Sequence, residues 1–125
     1  MYLVSTLLIA LFSTLFESSI DRAFTANQNN DWTGAASALD QALNDDAQMF
    51  LANNFHYLRG RIAENQNDWA RAREEFNKIG PQNPLRPLAM WHSSRASIRL
   101  HDEAATEQLL AGLPRTFPAE LKMQI

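Results

Sequence analysis

The residue types that most often carry chemistry are sparse in this chain of 125 residues, and their spacing matches no catalytic pattern. The three histidines, His56, His92 and His101, form neither an H-x-x-x-H nor an H-E-x-x-H motif, and the chain has no cysteine. A zinc site is therefore not expected. Asp45 and Asp46 lie in an expected turn, where helix capping and solvation account for them. We predict no metal site and no cofactor.

Serine and tryptophan residues also fit packing better than catalysis. Ser93, Ser94 and Ser97 lie on an expected helix, without the strand–turn–helix context of a nucleophilic serine. No glycine-rich phosphate loop is present in the sequence. Trp32 and Trp69 lie on apolar helical stripes, so we expect them in a core. We therefore predict that this chain is not itself an enzyme.

The strongest candidate for a binding surface is a set of four arginines, Arg59, Arg61, Arg95 and Arg99. Residues 51–100 carry eight Lys or Arg against four acidic residues, whereas residues 1–50 carry one against six. Guanidinium groups are suited to bidentate contacts with carboxylates, so we expect a protein or peptide partner with acidic groups. Nucleic acid is not expected, because it would require denser basic residues with interleaved aromatics. The alternative is that the arginines pair within the chain, with Glu64, Glu74 or Glu75.

The N-terminal segment, residues 2–16, is an uncharged and largely apolar run. Its length fits the core of a signal peptide, although no Lys or Arg precedes it and no clear A-x-A site follows. It is shorter than the roughly 18–20 residues that a membrane span requires. It also fits a buried first helix, because Phe16, Ile20 and Phe24 continue its stripe as one long helix. All three interpretations stay open. The first two favour the periplasm or cell envelope and limit any membrane contact to residues 2–16.

The clearest helix lies within Asp68–Pro84, which reads DWARAREEFNKIGPQNP. Asp68, or alternatively Asn67, is a good N-cap. Spacings of three and four place four residues on one helical face, Trp69, Ala72, Phe76 and Ile79. Gly80 is predicted to be a left-handed C-cap. Asn83 and Pro84 are predicted to cap and begin the next helix.

Other helices are predicted on both sides of this one, and strand-type alternation is nearly absent. Asp31 caps a helix that ends near residue 44, and a continuous helix is expected over residues 47–65. Gly60 lies in the middle of that helix, where glycine usually permits the close approach of another helix. Further helices are expected over residues 84–100, 102–112 and 118–125. The prediction is an all-α fold of about six or seven helices.

These helices form an internal repeat. Asp31-Trp32 aligns with Asp68-Trp69 at an offset of 37 residues, and Asp102 follows Asp68 by 34. The apolar positions align at the same offsets, Ala35 with Ala72, Leu39 with Phe76 and Leu110, and Ala42 with Ile79 and Leu113. A helix–turn–helix unit with a period near 34 residues is typical of a helical solenoid.

The central unit resembles the tetratricopeptide repeat (TPR) family. The family's small residue, first aromatic, alanine, second aromatic and proline fall on Gly60, Trp69, Ala72, Phe76 and Pro84. The unit departs from the family at His56, Arg59 and Ile79, and the flanking units match fewer positions. The resemblance implies a right-handed solenoid of antiparallel helix pairs in which Arg59 and Arg95, on successive first helices, line the concave face.

A narrower resemblance is to the α-superhelical part of soluble lytic transglycosylases, which cleave peptidoglycan. The phrases that carry it are NDWARAREEFNKI, NPLRPLAMW and LPRTFP. In that family the catalysis lies in a separate domain with a Glu-Ser motif and a later Gly-Leu-Met-Gln segment. Glu17-Ser18 is present here, but no such segment follows, so the resemblance implies no catalytic residue.

Together these observations predict two regions, an apolar segment over residues 1–16 and about three TPR-like units over residues 17–125, truncated at the C-terminus. The expected function is a non-catalytic helical-repeat scaffold or protein–protein interaction module of an exported or envelope protein. The alternative is the non-catalytic superhelical portion of a lytic transglycosylase, which would meet peptidoglycan through its parent enzyme.

Overall fold

The computed structural model describes residues 18–118 and 121, and these residues contain helices and turns but no strand. The predicted all-α class is therefore confirmed for this part of the chain. The chain divides into two compact units, of which the first ends at Asp45 and the second begins at Asp46. The apolar segment at residues 2–16, and most of the helix predicted over residues 118–125, lie outside the described residues.

Seven helices are described. The first unit contains α1 and α2, which span Ser19–Gln28 and Trp32–Asp45. The second unit contains the other five, which are α3 (Ala47–Ala52), α4 (Phe55–Asn65), α5 (Trp69–Asn77), α6 (Arg86–Arg99) and α7 (Glu103–Ala111). Helix α1 packs on α2, and in the second unit α5 contacts both α4 and α6, while α6 also contacts α7. None of the described helices is long and apolar enough to cross a membrane.

The predicted apolar stripe of α5 forms part of the core of the second unit. Ala72, Phe76 and Ile79 are at most 2% exposed, and Trp69 is half-buried against them. Small residues from the neighbouring helices complete this cluster, Ala63 of α4 and Ala89 and Ala96 of α6. Fully burying a side chain as large as Phe or Ile stabilises a fold by roughly 1.5–3 kcal/mol, so this face of α5 is a packing surface.

Three turns between helices have the same backbone pattern. Each contains a residue with positive φ, namely Asn30, Asn67 and His101. The aspartate that follows donates its backbone N–H to a carbonyl five residues earlier, over distances of 2.8 to 2.9 Å. Its carboxylate then accepts from the backbone N–H three residues later and caps the next helix. These turns recur at the offsets of 37 and 34 residues that relate the sequence units.

The positions that face each other in the three helix pairs are also equivalent. Ala23, Gly60 and Ser94 occur at these same offsets in α1, α4 and α6, and all three are buried. Gly60 is the smallest for a direct reason, since a Cβ there would lie 2.8 Å from the ring of Phe76. The predicted close approach at Gly60 is therefore present, and α5 is the helix that approaches.

The predicted helix over residues 47–65 is wrong, because it is interrupted between α3 and α4. Asn54 adopts a left-handed conformation, with φ of 62°. The side chain and the backbone N–H of Asn53 both donate to the carbonyl of Met49, which closes the last turn of α3. The side chain of Asn83 donates to that of Asn54 at 2.7 Å and bonds the turn to a later loop. The break therefore depends partly on a residue distant in sequence.

Two further predictions about helix ends are wrong. Gly80 does not have a positive φ, because α5 ends earlier, with Lys78 and Ile79 donating backbone bonds to carbonyls three residues before them. Helix α6 begins at Arg86 instead of Pro84. The side chain of Asn83 accepts from the backbone N–H of Leu85, which holds residues 83–85 in a turn ahead of the helix.

The interpretation in which one long helix runs from the N-terminal apolar segment through Phe24 is also wrong. Ser18 has extended backbone, with φ of −70° and ψ of 157°, and its hydroxyl accepts from the backbone N–H of Asp21. This is N-cap geometry, so α1 begins at Ser19. Within α1, Ala23 is fully buried but Phe24 is 44% exposed.

Candidate functional site

The second unit contains a buried carboxylate that binds three nitrogen donors. Glu75 of α5 is 1% exposed, and its oxygens lie 2.6 Å from Nδ1 of His56 and 2.7 Å from a guanidinium nitrogen of Arg59. The ammonium group of Lys78 donates to it at 3.1 Å. Burial by itself would raise the pKa of Glu75, but the bonds from His56 and Lys78 and the charges of Arg59 and Lys78 together lower it. The carboxylate is therefore ionised, and both of its oxygens have nitrogen partners.

A second carboxylate, Glu64 at the end of α4, connects that helix to α6. Its oxygens lie 3.0 Å from Nδ1 of His92 and 2.9 Å from Nε of Arg61, and a guanidinium nitrogen of Arg95 is 3.8 Å away. Nε2 of His92 is 3.2 Å from the hydroxyl of Tyr57, so both ring nitrogens have partners. The Glu64 side chain is 9% exposed.

Aromatic rings enclose the imidazole of His92. The ring of Phe76 is stacked on it at 4.9 Å, and the rings of Trp91 and Tyr57 meet it edge-on. This order of carboxylate, imidazole and hydroxyl resembles a nucleophilic triad. His92 is only 3% exposed, however. It does not line either of the two cavities described in this part of the chain. The cluster therefore positions helices.

The four predicted arginines divide into two kinds. The side chain of Arg59 is 14% exposed and is bound to Glu75, so it contributes to the interior. The side chain of Arg61 is 48% exposed and that of Arg95 is 31% exposed. Arg99 is exposed as well. The expected alternative of internal pairing thus describes Arg59 fully and Arg61 and Arg95 in part.

Two of the arginines lie over indole rings at cation–π distance. The guanidinium carbon of Arg95 lies 4.9 Å from the ring centre of Trp91, one turn earlier in α6. That of Arg99 lies 5.2 Å from the ring centre of Trp69 in α5. Among the described residues, no carboxylate lies within ion-pair distance of Arg99. Trp69 was predicted to pack in the core, and it does so with one face while Arg99 covers another.

The remaining candidate residues do not form a reactive centre in the described part of the chain. Ser93, Ser94 and Ser97 are fully buried at helix contacts, as predicted, and Ser93 donates to Asn77. Within residues 18–118 and 121, no group of three His, Cys, Asp or Glu has the geometry for a metal ion. His101 and the acidic residues Asp102, Glu103 and Glu107 line an open groove of about 350 Å³ together with Ile98.

The sequence interpretation missed Glu75 and the cluster around Glu64. A signal for Glu75 was present, because Ala72, Glu75 and Ile79 follow one another by three and four residues and so share a face. A carboxylate on an apolar face requires buried donors. The repeat offset also aligns Glu75 with Ala38 of the first unit. No comparable signal in the sequence pairs Glu64 with His92.

Comparison with known proteins adds no further assignment. No protein-family model, curated protein or solved structure matches the chain.

Proposed function

We propose that the chain is a TPR-like helical-repeat scaffold, a right-handed solenoid of antiparallel helix pairs that serves as a protein–protein interaction module. The observation that carries this proposal is the recurrence of one turn geometry at Asp31, Asp68 and Asp102, with small residues buried at equivalent positions. Units of this kind bury their apolar faces by stacking on one another. Solenoids of this kind present extended surfaces suited to a protein partner.

The chemistry of the interior favours a scaffold over a catalyst. In the described side chains, every buried nitrogen or oxygen atom has a hydrogen-bond partner. The buried carboxylate of Glu75 and the partly buried carboxylate of Glu64 each bind a histidine and an arginine of a neighbouring helix. Catalytic groups, by contrast, must reach a substrate in a shaped pocket. We also propose a location in the periplasm or cell envelope, on the basis of the apolar run at residues 2–16.

Site-specific photo-crosslinking tests the interaction function. A photoreactive amino acid would replace Leu58 in α4 or Ile98 in α6, and Glu74 in α5 for comparison, in cells expressing the full-length gene from its own promoter. We expect a discrete adduct with the same protein from the positions in α4 and α6. The absence of an adduct from all three positions, in a folded and soluble protein, would contradict the proposal.

The second candidate function is the superhelical portion of a lytic transglycosylase, and the phrases NDWARAREEFNKI, NPLRPLAMW and LPRTFP support it. In this case the chain would supply shape, and a separate domain of the parent would cleave peptidoglycan. The full-length gene product would then sediment with purified cell-wall sacculi and lower their turbidity. Activity of that kind would favour the enzyme, and its absence alongside a protein adduct would favour the scaffold.

A further inference from the structure

The exposed side of α6 presents two guanidinium groups in the same way. Arg95 and Arg99 are four residues apart, so they lie on one side of the helix with Cβ atoms roughly 5–6 Å apart. The guanidinium carbon of each lies over an indole ring, of Trp91 and Trp69 respectively. Like charges one turn apart on a helix repel each other. This cost is offset when a ligand of opposite charge binds both.

A guanidinium group has five N–H donors, so contact with an indole ring does not use up its capacity to bind a carboxylate. An arginine held over a ring also loses less conformational entropy on binding, because its side chain is already ordered. Arg99, which has no described carboxylate partner, is therefore prepared to accept one from outside.

The charge around these two side chains is positive. Arg61, Arg95 and Arg99 are partly or fully exposed, and the only described carboxylate in contact with them is Glu64. The side chain of Glu64 is 9% exposed and also binds His92. Two of these three positive charges are thus in contact with one described carboxylate, which is shared with a histidine.

We propose that Arg61, Arg95 and Arg99 form a docking surface for an acidic peptide segment with two carboxylates one helical turn apart. This inference rests on the proposed interaction function and names the partner class of that module. Arg95 and Arg99 each bind one carboxylate, and Arg61 adds attraction at the α4 side. Arg59 takes no part, because it is bound to the buried Glu75.

The rest of the molecule favours a short acidic segment over a polyanion. The chain has a net charge of −3, so its overall field repels an extended anionic polymer. Residues that follow Arg99 in the sequence, Asp102, Glu103 and Glu107, line an acidic groove. The same groove contains Ile98, which is 39% exposed. In the complex, an apolar residue of the peptide next to its carboxylates would cover Ile98.

Titration calorimetry with two probe peptides tests the proposal on the full chain. The first is a capped, helix-forming peptide of leucine and alanine with glutamates at two positions four apart, and the second has glutamine at both positions. We expect the glutamate peptide to bind at least tenfold more tightly, with an affinity that falls as salt rises. Arg95→Gln and Arg99→Gln should each weaken its binding about tenfold.

The matched control is Arg115→Gln, which removes the same charge from another exposed arginine and should change the affinity less than twofold. Circular dichroism of each variant checks that the helices are retained. Equal binding of both peptides, or unchanged binding by the Arg95→Gln/Arg99→Gln double variant, would overturn the proposal. Tighter binding of a single-stranded DNA oligonucleotide through the same arginines would also overturn it. Adducts from the crosslinking experiment would survive either result, so the two failures are distinguishable.

Discussion

The helix pairs α1–α2 and α4–α5 close with the same turn but have different interiors. In both, an asparagine with positive φ precedes an aspartate that caps the second helix. Ala38 in the first pair corresponds to Glu75 in the second at an offset of 37 residues. Ala38 is a small apolar residue that is 7% exposed, whereas Glu75 is 1% exposed and accepts from three nitrogen donors.

This difference separates local from non-local determinants. The turn is made by bonds among residues five or fewer positions apart, so it can recur whatever packs above it. The interior depends on helix-to-helix contacts, and it tolerates either small apolar residues or a satisfied ionic cluster. An incomplete ionic cluster destabilises the fold, because a buried charge that has lost its partner has a high free-energy cost.

The largest expected effect comes from replacing Glu75 with the residue found at its equivalent position. Glu75→Ala leaves His56, Arg59 and Lys78 without their acceptor, and we expect a loss of about 3 kcal/mol in unfolding free energy. Urea denaturation at pH 7 measures it. The control is Glu74→Ala, which removes the same charge from a side chain that is 69% exposed and should cost less than about 0.5 kcal/mol. Similar losses in both variants would contradict a special role for Glu75.

Acid should remove part of the same stabilisation. The pKa of Glu75 is lowered in the folded state, so the unfolded chain binds the proton more readily, at a pKa of about 4.3. The contribution of Glu75 is therefore complete well above that pH and is lost as the pH falls through the lower, folded pKa. Denaturation of the wild type and Glu75→Gln between pH 7 and pH 3 checks this. The difference between the two proteins should shrink below about pH 4.3, and a constant difference would show that the charge is not responsible.

An intermediate effect is expected at a helix contact that the two pairs fill with side chains of different size. Gly60 faces Phe76 in one pair, and Ala23 and Leu39 occupy the equivalent positions in the other. Gly60→Ala would place a Cβ 2.8 Å from the Phe76 ring. We expect a net loss of about 1–2 kcal/mol, because overpacking outweighs the roughly 1 kcal/mol that alanine gains in helix propensity.

The double variant Gly60→Ala/Phe76→Leu installs the alanine–leucine combination of the first pair. It should recover much of the loss caused by Gly60→Ala, because the shorter side chain leaves room for the new methyl group. Thermal melts of both single variants, the double variant and the wild type form a complete cycle. Strictly additive losses would show that the two positions do not share volume.

These regions also show which features the sequence could predict. The caps at Asp31 and Asp68 and the buried stripe of α5 were predicted correctly, because each depends on a few neighbouring residues and one helical period. The break at Asn54 was missed because Asn83, distant in sequence, holds it. Gly80 was predicted wrongly from residue type alone, although a helix can also end with backbone bonds of shorter span.

For the candidate site, the sequence identified the arginines but not which of them are internal and which reach the surface. All four predicted arginines lie in α4 or α6, yet Arg59 is internal while Arg61, Arg95 and Arg99 reach the surface. The division depends partly on α5, whose Glu75 and Trp69 approach Arg59 and Arg99, whereas the partners Glu64 and Trp91 lie on the same helix as Arg61 and Arg95, respectively. Sequence spacing within one helix contains no information about the approach of α5.

The smallest expected effects concern the shared turn. Asp31→Ala and Asp68→Ala each remove a carboxylate that accepts one backbone N–H, over 2.9 Å and 3.2 Å, and each should cost about 1 kcal/mol. Asp→Asn at either position keeps an acceptor oxygen and should retain most of the stability. Hydrogen exchange of the amides in the first turns of α2 and α5 reports each loss locally. Equal costs would mean that the cap acts independently of the interior beside it. A clearly larger cost at Asp68 would mean that the ionic cluster of Glu75 depends on how α5 begins, so that turn and interior are coupled in that pair.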